Sequence, residues 1–183
     1  GRTYVASRLP VRSTGTPEAT VWHVFASQDN TTVTFTANPQ VTGLPAGPQV
    51  LQARQWVQLS VSGTMANPGD FIVSADKPIL VMGYLTGSFT CNVSPEQAGD
   101  PAMTQMVPVE QFLDNYIVLV PVNWIYDYAV LTKRVGSTVY MNGTAVQQSA
   151  FIPIDGQWEV GRITVPDGVH AFTGTSPFGI VIV

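Results

Sequence analysis

The sequence predicts an all-β protein built from two similar antiparallel β-sandwich-like halves, and three observations carry that expectation. Charged residues are only 11% of the 183-residue chain, while 45% is hydrophobic; an average soluble domain is roughly 25% charged. Thr, Ser, Asn, Gln, Gly and Pro fill the gap, the composition of many short strands with polar outer faces and frequent turns. Runs of alternating polarity recur between strong turn signals, and the order of elements in the first half returns in the second.

In chain order, Val21-Trp22-His23-Val24 reads as the first long strand. Thr32 to Ala37 alternates strictly, with Val33, Phe35 and Ala37 on one face and threonines on the other. Val57, Leu59 and Val61 alternate against Gln58, Ser60 and Ser62 in the same way, the period-2 signature of strands buried on one side. Ile79 to Leu85 and Ile117 to Val120 are continuous apolar runs, expected to be central strands, covered on both faces or inside a sandwich. Asp29-Asn30, Asn67-Pro68-Gly69-Asp70, Asn142-Gly143, Asp155-Gly156 and Asp167-Gly168 mark turns. Only Val109 to Leu113 suggests a short helical turn.

The repeat is the most informative feature. Tyr4-Val5 returns as Tyr116-Ile117, and Thr31 to Phe35 as Ser137 to Met141. Gln55-Trp56 matches Gln157-Trp158, Gly69 to Val73 matches Gly168 to Phe172, and Pro78 with Ile79 to Tyr84 matches Pro177 with Phe178 to Val183. The shift is roughly 100–110 residues and drifts with loop length, as expected of an internal duplication. The expected division is a first repeat at 1–86, a linker at 87–108 and a second repeat at 109–183. A start at Gly1-Arg2 and a stop within an apparent strand suggest a piece of a longer protein.

Composition also excludes function classes. The formal net charge is −4, and Lys77 and Lys133 are the only lysines, so no basic cluster is available to neutralise a run of phosphates. Nucleic acid is therefore not an expected partner. No apolar run reaches the about 18 residues a membrane-spanning helix requires. The single cysteine, Cys91, precludes a disulfide framework within the chain and is expected to be inert or to pair outside it. Neither Gly-x-Ser-x-Gly, His-Glu-x-x-His nor a phosphate-cradling glycine loop occurs. His23 and His170 lack a second ligand at metal spacing, and the aspartates sit beside turn residues, where Asp caps its own backbone. No catalytic residue, metal or cofactor is expected. Asn30, Asn92 and Asn142 head Asn-x-Ser/Thr sequons, of which Asn142-Gly143 is better explained as a hairpin turn.

Diffuse strand-and-turn motifs across nearly the whole chain resemble a known family. These are Ala75-Asp76-Lys77-Pro78-Ile79-Leu80-Val81, Gly99-Asp100-Pro101-Ala102-Met103 through Val107-Pro108, and Tyr116-Ile117-Val118-Leu119-Val120-Pro121. Tyr128-Ala129-Val130, Val139-Tyr140-Met141-Asn142-Gly143 and Gly168-Val169-His170 complete the set. Together they resemble the N-terminal domain family of the IgG Fc-binding protein, a module also found in bacterial surface proteins. The resemblance implies an extracellular or cell-surface binding and adhesion module, without catalysis, that recognises a protein or a glycan; it implies nothing about antibody as the ligand.

Aromatic residues are the candidates for recognition. Trp124, Tyr126 and Tyr128 lie in Asn123-Trp124-Ile125-Tyr126-Asp127-Tyr128, the densest aromatic stretch and the expected contact loop. Trp56 faces away from Val57, Leu59 and Val61, and Trp158 takes the matching place in the second half; both are candidates, with cover by loops or by the other half as the simpler expectation. The alternative function is a structural subunit or spacer of a surface appendage or layer, assembling with neighbouring domains or copies of itself through unprotected edge strands.

Overall fold

In a computed structural model, described for residues 1–87, 91, 101–122, 124 and 126–183, the elements longer than three residues among the described ones are all strands. The sequon at Asn92, most of the expected linker, and Asn123 and Ile125 of the expected contact loop lie outside the described residues. The chain forms two compact units, Gly1–Glu110 and Gln111–Val183.

The first unit is a sandwich of two four-stranded antiparallel sheets. One has the order β1 (Thr3–Ala6), β6 (Phe71–Ala75), β3 (Thr31–Ala37), β4 (Gln49–Leu51). The other runs β5 (Trp56–Val61), β2 (Thr20–Ala26), β7 (Ile79–Tyr84), β8 (Met103–Gln105). Alternation decides what enters the core: Thr20, Trp22, Val24 and Ala26 of β2 are buried, while Val21, His23 and Phe25 between them are partly exposed. Trp22 meets Phe71 of the facing sheet edge-on, with centroids 5.4 Å apart. Gly83 is required beneath it, because a Cβ there would stand 2.8 Å from the indole. Part of the expected linker joins this unit: β8 pairs with β7, and Met106 is buried in the same core.

The second unit holds seven strands in one antiparallel sheet that curls into a half-barrel. The order is β12 (Thr144–Ala145), β11 (Val139–Met141), β15 (Gly168–Ile182), β10 (Tyr128–Arg134), β14 (Trp158–Thr164), β13 (Phe151–Pro153), with β9 (Leu113–Val120) also on β15. Its core gathers Val120, Ala129, Leu131, Val139, Phe151, Phe172 and Phe178. Instead of a second pair of separate sheets, the 15-residue β15 serves both sides of this core. Its first part pairs with β9 and β11, and its last part with β10.

The two units make the same pairings in the same register at several points. Tyr4 stands opposite Val73 and Tyr116 opposite Phe172; Val33 is opposite Ala75 and Val139 opposite Gly174. Tyr4 Oη donates to the Ile79 carbonyl at 2.7 Å, and Tyr116 Oη to the Phe178 carbonyl at 2.7 Å. The Thr32 amide donates to Asp76 Oδ1 and the Thr138 amide to Thr175 Oγ1. Gly69 and Gly168 open the matching strands with φ of 119° and 115°, a region that side chains with a Cβ avoid.

One expectation requires correction. Ile117 to Val120 is not central: β9 pairs only with β15 among the described strands and presents Ile117 and Leu119 outward. β7, by contrast, is a central strand of the sandwich, as expected, with one face fully buried and the other partly exposed. A continuous apolar run says that both faces of a strand are greasy, not that both are covered. The short helical turn is a 3-10 turn, Val109–Gln111.

Candidate functional site

Outward-facing side chains make an aromatic surface on the β5-β2-β7-β8 sheet. Pairing sets Phe25 beside Trp56 and Leu80, His23 beside Gln58 and Met82, and Val21 beside Ser60 and Tyr84. Because these residues alternate with the core positions, all share the outer face. The His23 ring lies 4.4 Å from Trp56 and 4.7 Å from Tyr84, centroid to centroid, and Nε2 meets Gln58 Oε1 at 3.0 Å. Trp56 stays 48% exposed, and Met103 of β8 extends the face beyond Tyr84. Of this group only Trp56 was singled out from the sequence. His23 reads there as an ordinary strand residue, and Phe25 and Tyr84 merge into apolar runs; only the pairing register brings the four together.

A polar hub stiffens the loops at the end of this unit. Arg8 is buried, and its guanidinium donates to Glu18 Oε1, the Glu18 carbonyl and the Pro68 carbonyl, each at 2.9 Å. Glu18 also accepts from the Ser13 hydroxyl at 2.6 Å and from the Ser13 and Arg12 amides. Burial pushes the Glu18 carboxyl up, but the Ser13 hydrogen bonds and the Arg8 charge outweigh it and hold the group below its ordinary value. Glu110 is likewise pushed up by burial yet lowered overall, through the Arg2 and Thr3 amides and the N-terminal charge. Both networks tie loops together: Glu18 holds Arg8, Arg12 and Ser13, and Glu110 Oε1 accepts from the Arg2 and Thr3 amides.

In the second unit the exposed surface is aliphatic. Leu119 pairs with Val169 and Ile117 with Ala171, all pointing away from the core that takes Val118, Val120 and Phe172. Ile117 is 81% exposed, Leu119 68% and Val169 67%. The chain leaving β9 carries Val122, Trp124 and Tyr126, all exposed, with Trp124 at 68%. Tyr128 is half-buried as the first residue of β10. Trp158 is 5% exposed, wedged between Phe112, edge-on at 5.8 Å, and the Arg134 guanidinium, 4.1 Å over its ring. The five sequence-chosen aromatics therefore divide: Trp56 lies in the first unit's aromatic face, Trp124 and Tyr126 in an exposed loop, Tyr128 at its edge and Trp158 in the core. The sequence reading missed Ile117, Leu119 and Val169 as surface residues because their pattern is that of buried strands.

Among the described residues, no group of three His, Cys, Asp or Glu side chains could hold a metal ion, and no helix is long and apolar enough to cross a membrane. Cys91 is a free, buried thiol that accepts a hydrogen bond from the Arg12 guanidinium at 3.0 Å. No curated protein and no solved structure matches the chain. The family model described as IgGFc binding protein matches residues 1–183, and the chain belongs to that family.

Proposed function

We propose that this chain is a non-catalytic extracellular module that binds a protein partner through its exposed apolar sheet faces. Membership of the IgGFc binding protein family along the whole chain supports binding over catalysis. The observation that carries the choice of a protein is the exposure of Ile117, Leu119 and Val169 on one sheet face, with Trp124 and Tyr126 exposed in the chain that follows β9. Glycans are held by polar groups placed around a stacking ring, whereas protein interface cores are apolar with aromatic anchors. Trp56, with His23 and Tyr84, supplies the first unit's contact face and is the better placed of the two surfaces for a glycan. Tyr128 borders the contact loop, whereas Trp158 is packed at the other end of the β10–β14 pair, against Phe112 and Arg134, and is not a contact residue. The Lys-poor, Thr-rich surface fits the bacterial cell-surface form of the family, an adhesion module displayed by a larger protein.

The two units are taken here as copies of one duplicated sandwich, a first repeat at 1–86 and a second at 109–183 joined through 87–108. The shared registers, the paired tyrosine hydrogen bonds and the matched glycines support common descent. In the second copy the equivalents of β6 and β7 run together as β15.

Alanine at Trp124 and Tyr126 together is expected to weaken partner binding by about 30-fold or more, the loss of roughly 2 kcal/mol typical of an aromatic anchor. Trp56→Ala is the parallel test of the other face. Unchanged affinity in both variants would sink the assignment. A second reading, assembly of the module with copies of itself, is favoured by the single-sided pairing of β9.

A further inference from the structure

Lys133 and Glu159 form a buried ion pair in the second unit, with side chains 1% and 3% exposed. They are cross-strand neighbours on β10 and β14. The first unit gives the comparison. The Ala26 amide donates to the Gln55 carbonyl there, as the Val135 amide does to the Gln157 carbonyl here, both at 2.9 Å. Two residues inward from each of those bonds stand Val24 opposite Val57 in one unit and Lys133 opposite Glu159 in the other. The same sheet position is thus filled by two valines in the first unit. Burying two charges costs desolvation that their attraction often fails to recover, so an apolar pair would serve the fold as well or better.

The surroundings of the pair suggest chemistry. Gln148, from a 3-10 turn at the surface (Gln148–Ala150), lays its amide over both partners. Lys133 Nζ donates to Gln148 Oε1 at 3.2 Å and also hydrogen-bonds Glu159 Oε1. Gln148 Nε2 donates to Glu159 Oε2 at 2.8 Å. The Phe151 ring covers the ammonium, with Nζ 4.3 Å from its centroid. An amine therefore sits beside an amide carbonyl, and one carboxylate touches both the amine and the amide's leaving nitrogen.

We propose that Lys133 and Gln148 join in an intramolecular isopeptide bond, with Glu159 carrying the protons. Lys133 Nζ passes a proton to Glu159 and attacks Gln148 Cδ, forming the new C–N bond. As the tetrahedral intermediate collapses, the Cδ–Nε2 bond breaks. Nζ gives up its second proton to the departing nitrogen by way of the carboxyl, so ammonia leaves. The first proton remains on Glu159, which ends as a neutral acid. No oxidant or cofactor enters, and the step removes both buried charges, which is a reason for it to run forward. The product ties β10 to the Gln148 turn by a bond that denaturation does not break, a useful property in a module that holds a partner under load.

Intact mass spectrometry of the 183-residue chain tests this directly. The wild-type protein is expected to be about 17 Da lighter than its sequence, the mass of one ammonia. Proteolytic fragments should include one joining Lys133 to Gln148. Glu159→Gln, which cannot take the proton, is expected at full mass. The double variant Lys133→Val with Glu159→Val, which restores the first unit's pair, is expected at full mass and folded. A wild-type mass equal to the sequence overturns the proposal, as does a loss that fragmentation places elsewhere, for example a succinimide at Asn142-Gly143. Retention of the loss in Glu159→Gln overturns the role given to the carboxylate.

Discussion

At the scale of single residues, the structure turns on a few side chains that hold backbone in place. Glu18 is the clearest case. Its carboxyl is held below the ordinary value of 4.5, so the folded protein binds fewer protons than the unfolded chain over that range. The stability this supplies is present above the unfolded value and is lost as pH falls through the lowered folded value. Glu18→Gln removes the carboxylate charge that faces the buried Arg8 guanidinium at 2.9 Å and is expected to cost about 3 kcal/mol at neutral pH. Denaturant titrations should show that gap narrowing as the solution is acidified; a gap independent of pH would mean that the carboxylate's charge does not matter. His170 makes a second test. Its Nε2 lies 2.7 Å from the Pro166 carbonyl and can only donate there. Asn142 Oδ1 accepts from the Ala171 amide, which turns Nδ2 toward His170 Nδ1, 2.9 Å away. The neutral ring must therefore carry its hydrogen on Nε2. Nitrogen NMR of the labelled imidazole should find that tautomer, and the Nδ1–H form would show that the Asn142 amide is turned the other way.

At the scale of elements, local pattern was legible and pairing was not. The alternation in β3 and β5 announces which face is buried, and Asn142-Gly143, with φ of 50° and 80°, forms the expected tight hairpin between β11 and β12. The same turn explains the sequon: both amide atoms of Asn142 are committed to hydrogen bonds, so a glycan on Nδ2 would crowd the contact with His170. The Ile117 to Val120 run misled because period and hydrophobicity describe a strand's own faces, while cover depends on which neighbours arrive. β9 shows the consequence. The edge it leaves unpaired among the described strands and the outward Ile117 and Leu119 are what an added strand would use. Light scattering after size-exclusion chromatography, over a wide concentration range, tests this. If β9 mediates assembly, mass will grow with concentration, and Ile117→Lys with Leu119→Lys will return the chain to a monomer. A wild-type chain that stays monomeric throughout would remove assembly through β9.

For the whole molecule, the account joins a family of binding modules to two surfaces, one aromatic and one aliphatic, each on its own compact unit. Much of the candidate site was hidden in the sequence for the same reason as the edge strand. Trp56, Trp124 and Tyr126 stand out as bulky side chains in polar settings, whereas His23, Tyr84, Ile117 and Val169 become surface partners only once register is known. The central claim is recognition of a protein by these surfaces. The measurement that tests it most directly is equilibrium binding of the purified chain to immobilised immunoglobulin Fc, mucin and a glycan array, alongside the Trp124→Ala, Tyr126→Ala double variant and Trp56→Ala. The account predicts that the wild type holds at least one protein probe and that the double variant loses it. Glycan binding that survives in the double variant and fails in Trp56→Ala, or a protein probe held equally by all three chains, would contradict it.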